Sequence, residues 1–435
     1  MTLWKRAGAA CAGLLFVLCA WSLGAQPLPV AKPEQVGMSA QKLTRIGAVL
    51  KKEVDDGSFR GAVVMVARKG ELVYQDAVGM QTASVKMTPE AIFRIYSMTK
   101  PLVSVAAMML VEDGVVQLTD PVSKYLPGFD KLQVSVPSKD AAGNTSYALV
   151  PQERQMTVQD LLRHTSGLAY GEITQNAPVK EGLEKIGVYR KDMDYEARNI
   201  APDEQIAKIA TVPLAFQPGT IWHYSLSVDM LGRVVERASG KRLADFLEER
   251  LFKPLRMKDS GFWVPAGKMS RLAQSLEKDR FAGRGFPLVD VSSPPKNDSG
   301  GAGGVSTAAD YLRFCQMLMN GGVLDGARVL SRTTVKLMTS DHLGNFIIKT
   351  PQPGELLLGT KGYSFGLGFA VRSGDGVAGV PGSAGEYMWA GYAGTYFWVD
   401  PKEQVTAVLM TQAASPQRAY FRKLVKQLVY QAITD

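Results

Sequence analysis

Cysteine is nearly missing from this chain. Of its three cysteines, Cys11 and Cys19 fall in a stretch expected to be removed, which leaves Cys315 with no partner and excludes a disulfide framework. Histidine is as scarce. His164, His223 and His342 lie far apart in sequence, no His, Cys and carboxylate cluster has metal-ligand spacing, and no metal or cofactor is expected. Past the first residues no apolar run reaches the length that crosses a bilayer, so stable membrane insertion is not expected. Charge of one sign is not concentrated either. Fifty Lys and Arg against 41 acidic residues give +9, or +7 without Lys5 and Arg6 (9 − 2), and the basic residues are scattered, which argues against a nucleic-acid partner. There is no internal repeat and no low-complexity tract.

What is present begins with Lys5 and Arg6 ahead of an apolar run over residues 9–23 that ends in small residues around Gly24 and Ala25. That is the pattern of a signal peptide over residues 1–25, and it predicts an exported protein, periplasmic or secreted. The remaining residues, roughly 400, can bury a large core as one big domain or two interleaved ones. Ser39 is placed to cap a helix carrying Leu43, Ile46, Leu50 and Val54 until Gly57. Residues 61–67 and 71–78 read as an antiparallel hairpin turned at Lys69-Gly70. At the far end residues 388–399 and 404–411 read as strands, followed by a helix opened by Ser415-Pro416 and carrying Phe421, Leu424, Leu428 and Val429. Between the ends, residues 157–163, 227–238 and 243–251 are helical in pattern. Strands at both ends with helices between predict an α+β body over 35–96 and 256–435, discontinuous in sequence, with a mainly helical region over 97–255.

The pattern Ser-x-x-Lys occurs at Ser39, Ser97, Ser275 and Ser293, so spacing alone does not select a site. Context does. Pro294-Pro295 disfavours a helix after Ser293, and Ser39 and Ser275 precede charged, exposed helical stretches. Ser97 instead opens a predicted helix over 98–111 that is apolar nearly all round and therefore buried. Lys100, three residues on, lies on the face of the serine, and burial there disfavours the ammonium and leaves an amine able to act as base. The alternative is a helix cap beside a surface lysine.

Three segments carry a resemblance: Tyr96-Ser97-Met98-Thr99-Lys100-Pro101, Asp120-Pro121-Val122-Ser123-Lys124-Tyr125-Leu126-Pro127 and His164-Thr165-Ser166-Gly167-Leu168. Together with Gln217-Pro218-Gly219-Thr220, Trp222-His223-Tyr224-Ser225-Leu226 and Trp389-Ala390-Gly391, the chain resembles the family VIII carboxylesterases, relatives of class C β-lactamases and penicillin-binding proteins. The resemblance implies a serine β-lactamase-like fold, an antiparallel sheet flanked by helices plus a helical domain. It also implies Ser97 as nucleophile, Lys100 as its partner, Tyr224 as the tyrosine of a Tyr-x-Asn element, and an oxyanion hole from the Ser97 and Tyr392 N–H groups. Without it, the alternative for Tyr224 is an aromatic packing residue.

The departures bear on substrate. Leu226 stands where the lactamases have Asn and cannot hydrogen-bond an amide, and Trp389-Ala390-Gly391 replaces Lys-Thr-Gly, removing an ammonium suited to a carboxylate. At roughly 1–3 kcal/mol per charge-assisted contact, both losses weaken capture of a β-lactam. Tyr170, Trp222, Trp389 and Tyr392 are candidate pocket walls or, alternatively, core residues.

Other signals are weaker. Gly362-Tyr363-Ser364-Phe365-Gly366 fits a nucleophile elbow, but residues 367–371 continue as a strand where that elbow needs a helix. His164 reads as a helix-end residue, and His223 as a pocket or packing residue. Gly300-Gly301-Ala302-Gly303-Gly304 lacks the Gly-Lys-Ser/Thr of a phosphate cradle, so close backbone approach beside the cleft is its expected use, with Ser306-Thr307 capping the next helix. The expected function is therefore hydrolysis of a small-molecule ester with a short acyl chain through an acyl-enzyme on Ser97. A β-lactamase, a D-Ala-D-Ala peptidase or a small-amide hydrolase of the same fold is the alternative, and a non-catalytic binding or sensor module the alternative of another class.

Overall fold

The computed structural model describes residues 28–188, 198–349 and 351–435. The expected leader, with Cys11 and Cys19, lies outside them. The Ser39 hydroxyl accepts the Lys42 amide at 3.2 Å and so caps α1 (Ala40–Asp55), which buries Leu43, Ile46 and Leu50. The hairpin β1 (Gly61–Arg68) and β2 (Glu71–Gly79) turns through Lys69 and Gly70, both at positive φ. A short 3-10 turn, Tyr96–Met98, leads into α2 (Thr99–Glu112), buried from Thr99 to Leu110. The predicted helix starting at Met98 thus begins one residue later, with Ser97 in the tighter turn ahead of it.

The middle of the chain is less uniformly helical than its pattern predicts. It holds a hairpin, β3 (Gln133–Lys139) and β4 (Thr145–Pro151), mostly exposed apart from the adjacent Val134 and Ser135, so its pattern carries little contrast between faces. Then come α3 (Val158–Leu162), α4 (Ser227–Ser239) and α5 (Leu243–Leu247). The helix expected over 243–251 loses α geometry at a π-turn, Glu248–Phe252. Ser275 begins no helix. The helix α6 (Ala308–Met319) is capped by Thr307, whose hydroxyl accepts the Asp310 amide at 3.2 Å.

The last third supplies β5 (Tyr363–Phe365), β6 (Ala370–Arg372), β7 (Tyr387–Ala390), β8 (Tyr396–Asp400), β9 (Val405–Thr411) and the terminal helix α7 (Arg418–Tyr430). Two expectations are corrected here. Residues 388–399 form two antiparallel strands rather than one, because Gly394 at φ 93° and the Gly391 N–H donating to Thr395 O at 2.9 Å make a turn between them. Residues 367–371 do not continue a strand: Gly368 at φ 94° turns the chain so that Phe365 pairs with Ala370.

All seven strands of the main sheet are antiparallel, in the order β5-β6-β7-β8-β9-β1-β2. Both faces are covered. Phe397 packs against Tyr311 of α6 at 5.0 Å between ring centroids, while its neighbour Trp398 packs against Tyr430 of α7 at 6.4 Å, and successive strand residues point to opposite faces. Burial on both sides explains why β1, Gly-Ala-Val-Val-Met-Val-Ala-Arg, is buried at every position and reads as a continuous apolar run. On the other side of the molecule α2 packs on α4, and α3 packs on α4 as well.

Candidate active site

Ser97 is set at the front of α2 by a strained residue. Tyr96 adopts φ 44°, a region bulky side chains avoid, and is held there by its phenol, which accepts the Val289 N–H at 3.1 Å, and by edge-on packing against Tyr392 at 5.7 Å. The Ser97 side chain remains partly accessible.

Lys100, one helical turn onward, is 1% exposed. Its Nζ lies 3.2 Å from Ser97 Oγ, 3.1 Å from the Tyr170 hydroxyl and 2.7 Å from the Gly301 carbonyl. Burial pushes its ammonium down from 10.5 to about 7, against the pull of the Asp229 and Glu172 carboxylates. A neutral amine has two N–H donors and one lone pair. With donors directed to Gly301 and Tyr170, the lone pair is left for the Ser97 hydroxyl proton. Tyr224, carried just ahead of α4, brings its hydroxyl to 2.6 Å from Ser97 Oγ. Burial raises its phenol above the ordinary value, against partial relief from the Ser97 hydrogen bond, so near neutral pH it is a protonated donor. Base-type amine and acid-type phenol thus flank one hydroxyl.

These groups open into a cavity of about 250 Å³. Tyr170, Ala390, Gly391 and Tyr392 line it, with apolar walls from Ile173, Val289, Leu356 and Leu357. A Cβ at Gly391 would lie 2.4 Å from the Ile95 carbonyl, so only glycine lets the end of β7 run this close to the turn bearing Ser97.

A family description, Beta-lactamase, matches residues 46–431. The chain belongs to the β-lactamase family. It is a serine hydrolase of that family, with the expected α+β serine β-lactamase-like fold. Protein Rv1367c of Mycobacterium tuberculosis is 34% identical over 378 residues, 84% of this chain and 88% of its own. Esterase EstB of Burkholderia gladioli is 30% identical over 401 residues, 86% of this chain and 92% of its own. The solved structure of EstCE1, a hydrolase with promiscuous acyltransferase activity, matches with a TM-score of 0.71 at 24% identity, over 90% of this chain and 99% of that one.

Two expected pocket walls of this β-lactamase-family enzyme, together with Leu226, expected to face substrate, lie behind the cavity instead. Trp222, Leu226 and Trp389 are each 1% exposed and do not line it. Trp389 packs on Tyr224 at 5.4 Å and Phe365 at 5.3 Å, Trp222 packs on Phe365 at 5.6 Å, and Leu226 immediately precedes α4. Trp389 backs the Tyr224 ring rather than meeting a substrate, its strand neighbour Ala390 being the one that lines the cavity, since successive strand residues point to opposite faces. His164 belongs to the same core, its ring 5.0 Å from that of Tyr224 and its Nδ1 3.3 Å from Ser225 Oγ, and burial holds it well below its ordinary value. Burial also lowers His223 to about 4. Ser364 is buried and directs its hydroxyl to Asp341.

The sequence did not single out Glu172, Arg418 or Arg422, which line the cavity, or Asp229. The glycine run gave a usable signal: close approach was expected, and the Gly301 carbonyl is what meets Lys100. Asp229 offered only an acid in the first turn of a helix, a position usually explained by the helix dipole.

Proposed function

We propose that this enzyme is a carboxylesterase that cleaves short-chain esters through an acyl-enzyme on Ser97. One observation carries the reading: a single hydroxyl lies 3.2 Å from an amine whose proton affinity burial has brought to about 7 and 2.6 Å from a protonated phenol. Lys100 takes the Ser97 proton as Oγ bonds to the ester carbonyl carbon, and the N–H groups of Ser97 and Tyr392 receive the oxyanion. When the carbon–oxygen bond to the alcohol breaks, Tyr224 protonates the alkoxide and the Lys100 ammonium restores the phenol. Water then repeats the sequence in place of the alcohol and releases the acid.

An ester rather than a β-lactam is favoured by the apolar walls Ile173, Val289, Leu356 and Leu357. The name of its relative EstB is in line with that. Ser97→Ala is expected to abolish turnover of p-nitrophenyl butyrate and labelling by a fluorophosphonate. Retained labelling would remove Ser97 from the role, and a faster reaction with nitrocefin or a D-Ala-D-Ala peptide than with the ester, at equal enzyme, would move the substrate class. We also propose export, from the charged and then apolar segment over residues 1–25. Amino-terminal sequencing of the protein in its native host tests this, and a chain still beginning at Met1 overturns it.

A further inference from the structure

Asp229 takes no part in these steps, yet it is buried on α4 five residues after Tyr224, with 1% exposure. Its Oδ1 accepts the Ser299 hydroxyl at 2.6 Å and the Gly301 N–H at 3.1 Å. Ser299 Oγ in turn accepts the Ala302 N–H at 3.1 Å, which closes the turn on the carboxylate. The carbonyl of the same Gly301 is the 2.7 Å partner of Lys100 Nζ. Nothing larger than glycine fits, because a Cβ at position 301 would lie 2.1 Å from Asp229 Oδ2. At its other end the loop is tied to the start of α2, where the Gly304 N–H donates to Thr99 Oγ1 at 2.9 Å.

We propose that Asp229 is the positioning residue of this site, anchoring the Ser299–Gly301 turn so that the Gly301 carbonyl holds the Lys100 amine against Ser97. The proposal rests on the reading of Lys100 as the base for Ser97. Position and charge act together. Lys100 faces Asp229 from α4, Glu172, Tyr170 and His164 from the segment around α3, and Tyr224 from the segment before α4; Asp229 itself faces Arg233, one turn on, which is paired with Glu236 at 2.9 Å. Of these, the two carboxylates favour the ammonium and oppose the burial that disfavours it. A substitution that keeps the hydrogen-bond acceptor but removes the charge therefore separates the two contributions.

Asp229→Asn retains an oxygen for Ser299 and Gly301, while Asp229→Ala retains neither. With p-nitrophenyl butyrate, the acidic limb of the kcat/KM profile is expected to move to lower pH in Asp229→Asn, because the amine loses a charge that held its proton. Asp229→Ala is expected to lose roughly tenfold or more in kcat across the profile with a smaller change in KM, since a misplaced base costs the chemical step. Asp229→Asn should recover most of that loss. An unmoved limb in Asp229→Asn, or wild-type kcat in Asp229→Ala, overturns the proposal. If Asp229→Ala shows no cooperative thermal transition, Gly301→Ala applies the test from the other side of the contact, because its methyl group needs the space of Oδ2. A fall in kcat is expected there, and wild-type kcat overturns the proposal. Ser97→Ala is measured alongside: turnover surviving in it removes the reading of Ser97 as nucleophile with Lys100 as its base, whereas an inactive Ser97→Ala with unaltered Asp229 variants removes only the positioning role.

Discussion

Burial sets the Lys100 ammonium at about 7, whereas the unfolded chain holds that proton to about 10.5. Between those values the unfolded state binds a proton the folded state lacks, so this group makes stability rise with pH across the window and depresses it fully below. The gap corresponds to about 5 kcal/mol. Lys100→Met is close in size, removes the titration, and forfeits hydrogen bonds each worth about 1 kcal/mol net. It is expected to abolish activity yet stabilise the fold by roughly 1–3 kcal/mol at about pH 6, with the gain shrinking towards about pH 10. Urea unfolding across that range checks it, and a gain independent of pH would mean that folding leaves the proton affinity of the amine unshifted. In kcat/KM the same group predicts an acidic limb as pH falls through about 7. Tyr224, raised by burial, should add no basic limb below its ordinary value, and Tyr224→Phe should cost a factor of roughly 100 or more. A loss within about tenfold would remove Tyr224 from proton transfer. Ser97 and Lys100 could be read from the sequence because a polar pair heads a helix apolar on all sides. Which face of a strand meets the cleft is a tertiary fact, so Trp389 and its neighbours Ala390 and Gly391 could not be told apart in the same way.

At the scale of elements, α7, packed on one face of the sheet, holds the turn between β7 and β8. Arg422, 2% exposed, donates to the Gly391 carbonyl and, at 3.0 Å, to the Leu357 carbonyl, and burial lowers its guanidinium to about 9. That turn carries Tyr392. Arg422→Met takes the side-chain donor from the Leu357 carbonyl, at about 1–3 kcal/mol, and leaves the Gly391 carbonyl with the Gly394 N–H at 3.2 Å alone, which loosens the turn. The expected outcome is a loss of roughly tenfold in kcat with a smaller change in KM; raised KM with unchanged kcat would instead assign Arg422 to ground-state binding. Elements with one strong local cause were legible: α1 through Ser39 and its 3.6-residue stripe, and the β1–β2 hairpin through Lys69-Gly70. The β3–β4 hairpin was not, since Val136 and Leu149 are exposed and no buried face marks its register. The split of residues 388–399 was missed because both flanks are apolar, and only Gly391 and Gly394 hint at a turn.

For the molecule as a whole, the sheet joins the first two strands to the last five, and the contact that closes it, β1 with β9, pairs Ala62 with Thr411. The described chain ends meet at the same place. Leu72 exchanges backbone hydrogen bonds with Pro29 and Ala31, the Thr434 N–H donates to the Gly37 carbonyl at 2.9 Å, and Asp435 pairs with Arg68 at 2.6 Å and Lys69 at 3.0 Å. A short flexible linker can therefore join residue 435 to residue 28, and the exposed tip of the β3–β4 hairpin at residues 141–143 is the place to open the chain, where local bonds of Asp140 to Ala142, Gly143 and Asn144 are lost. In that permutant β9, α7, α1 and β1 become consecutive, and the longest-range pairing of the sheet turns local. Because loop closure precedes the reward of non-local contacts, refolding is expected to be faster than in the natural order, with ester turnover kept within severalfold. Stopped-flow refolding with an activity readout measures both. Slower refolding would mean that closure of β1 on β9 does not limit assembly, and loss of turnover would mean that the hairpin shapes the site from a distance, because Leu214 links it to the stretch before Tyr224 through the Gln133 carbonyl at 2.8 Å.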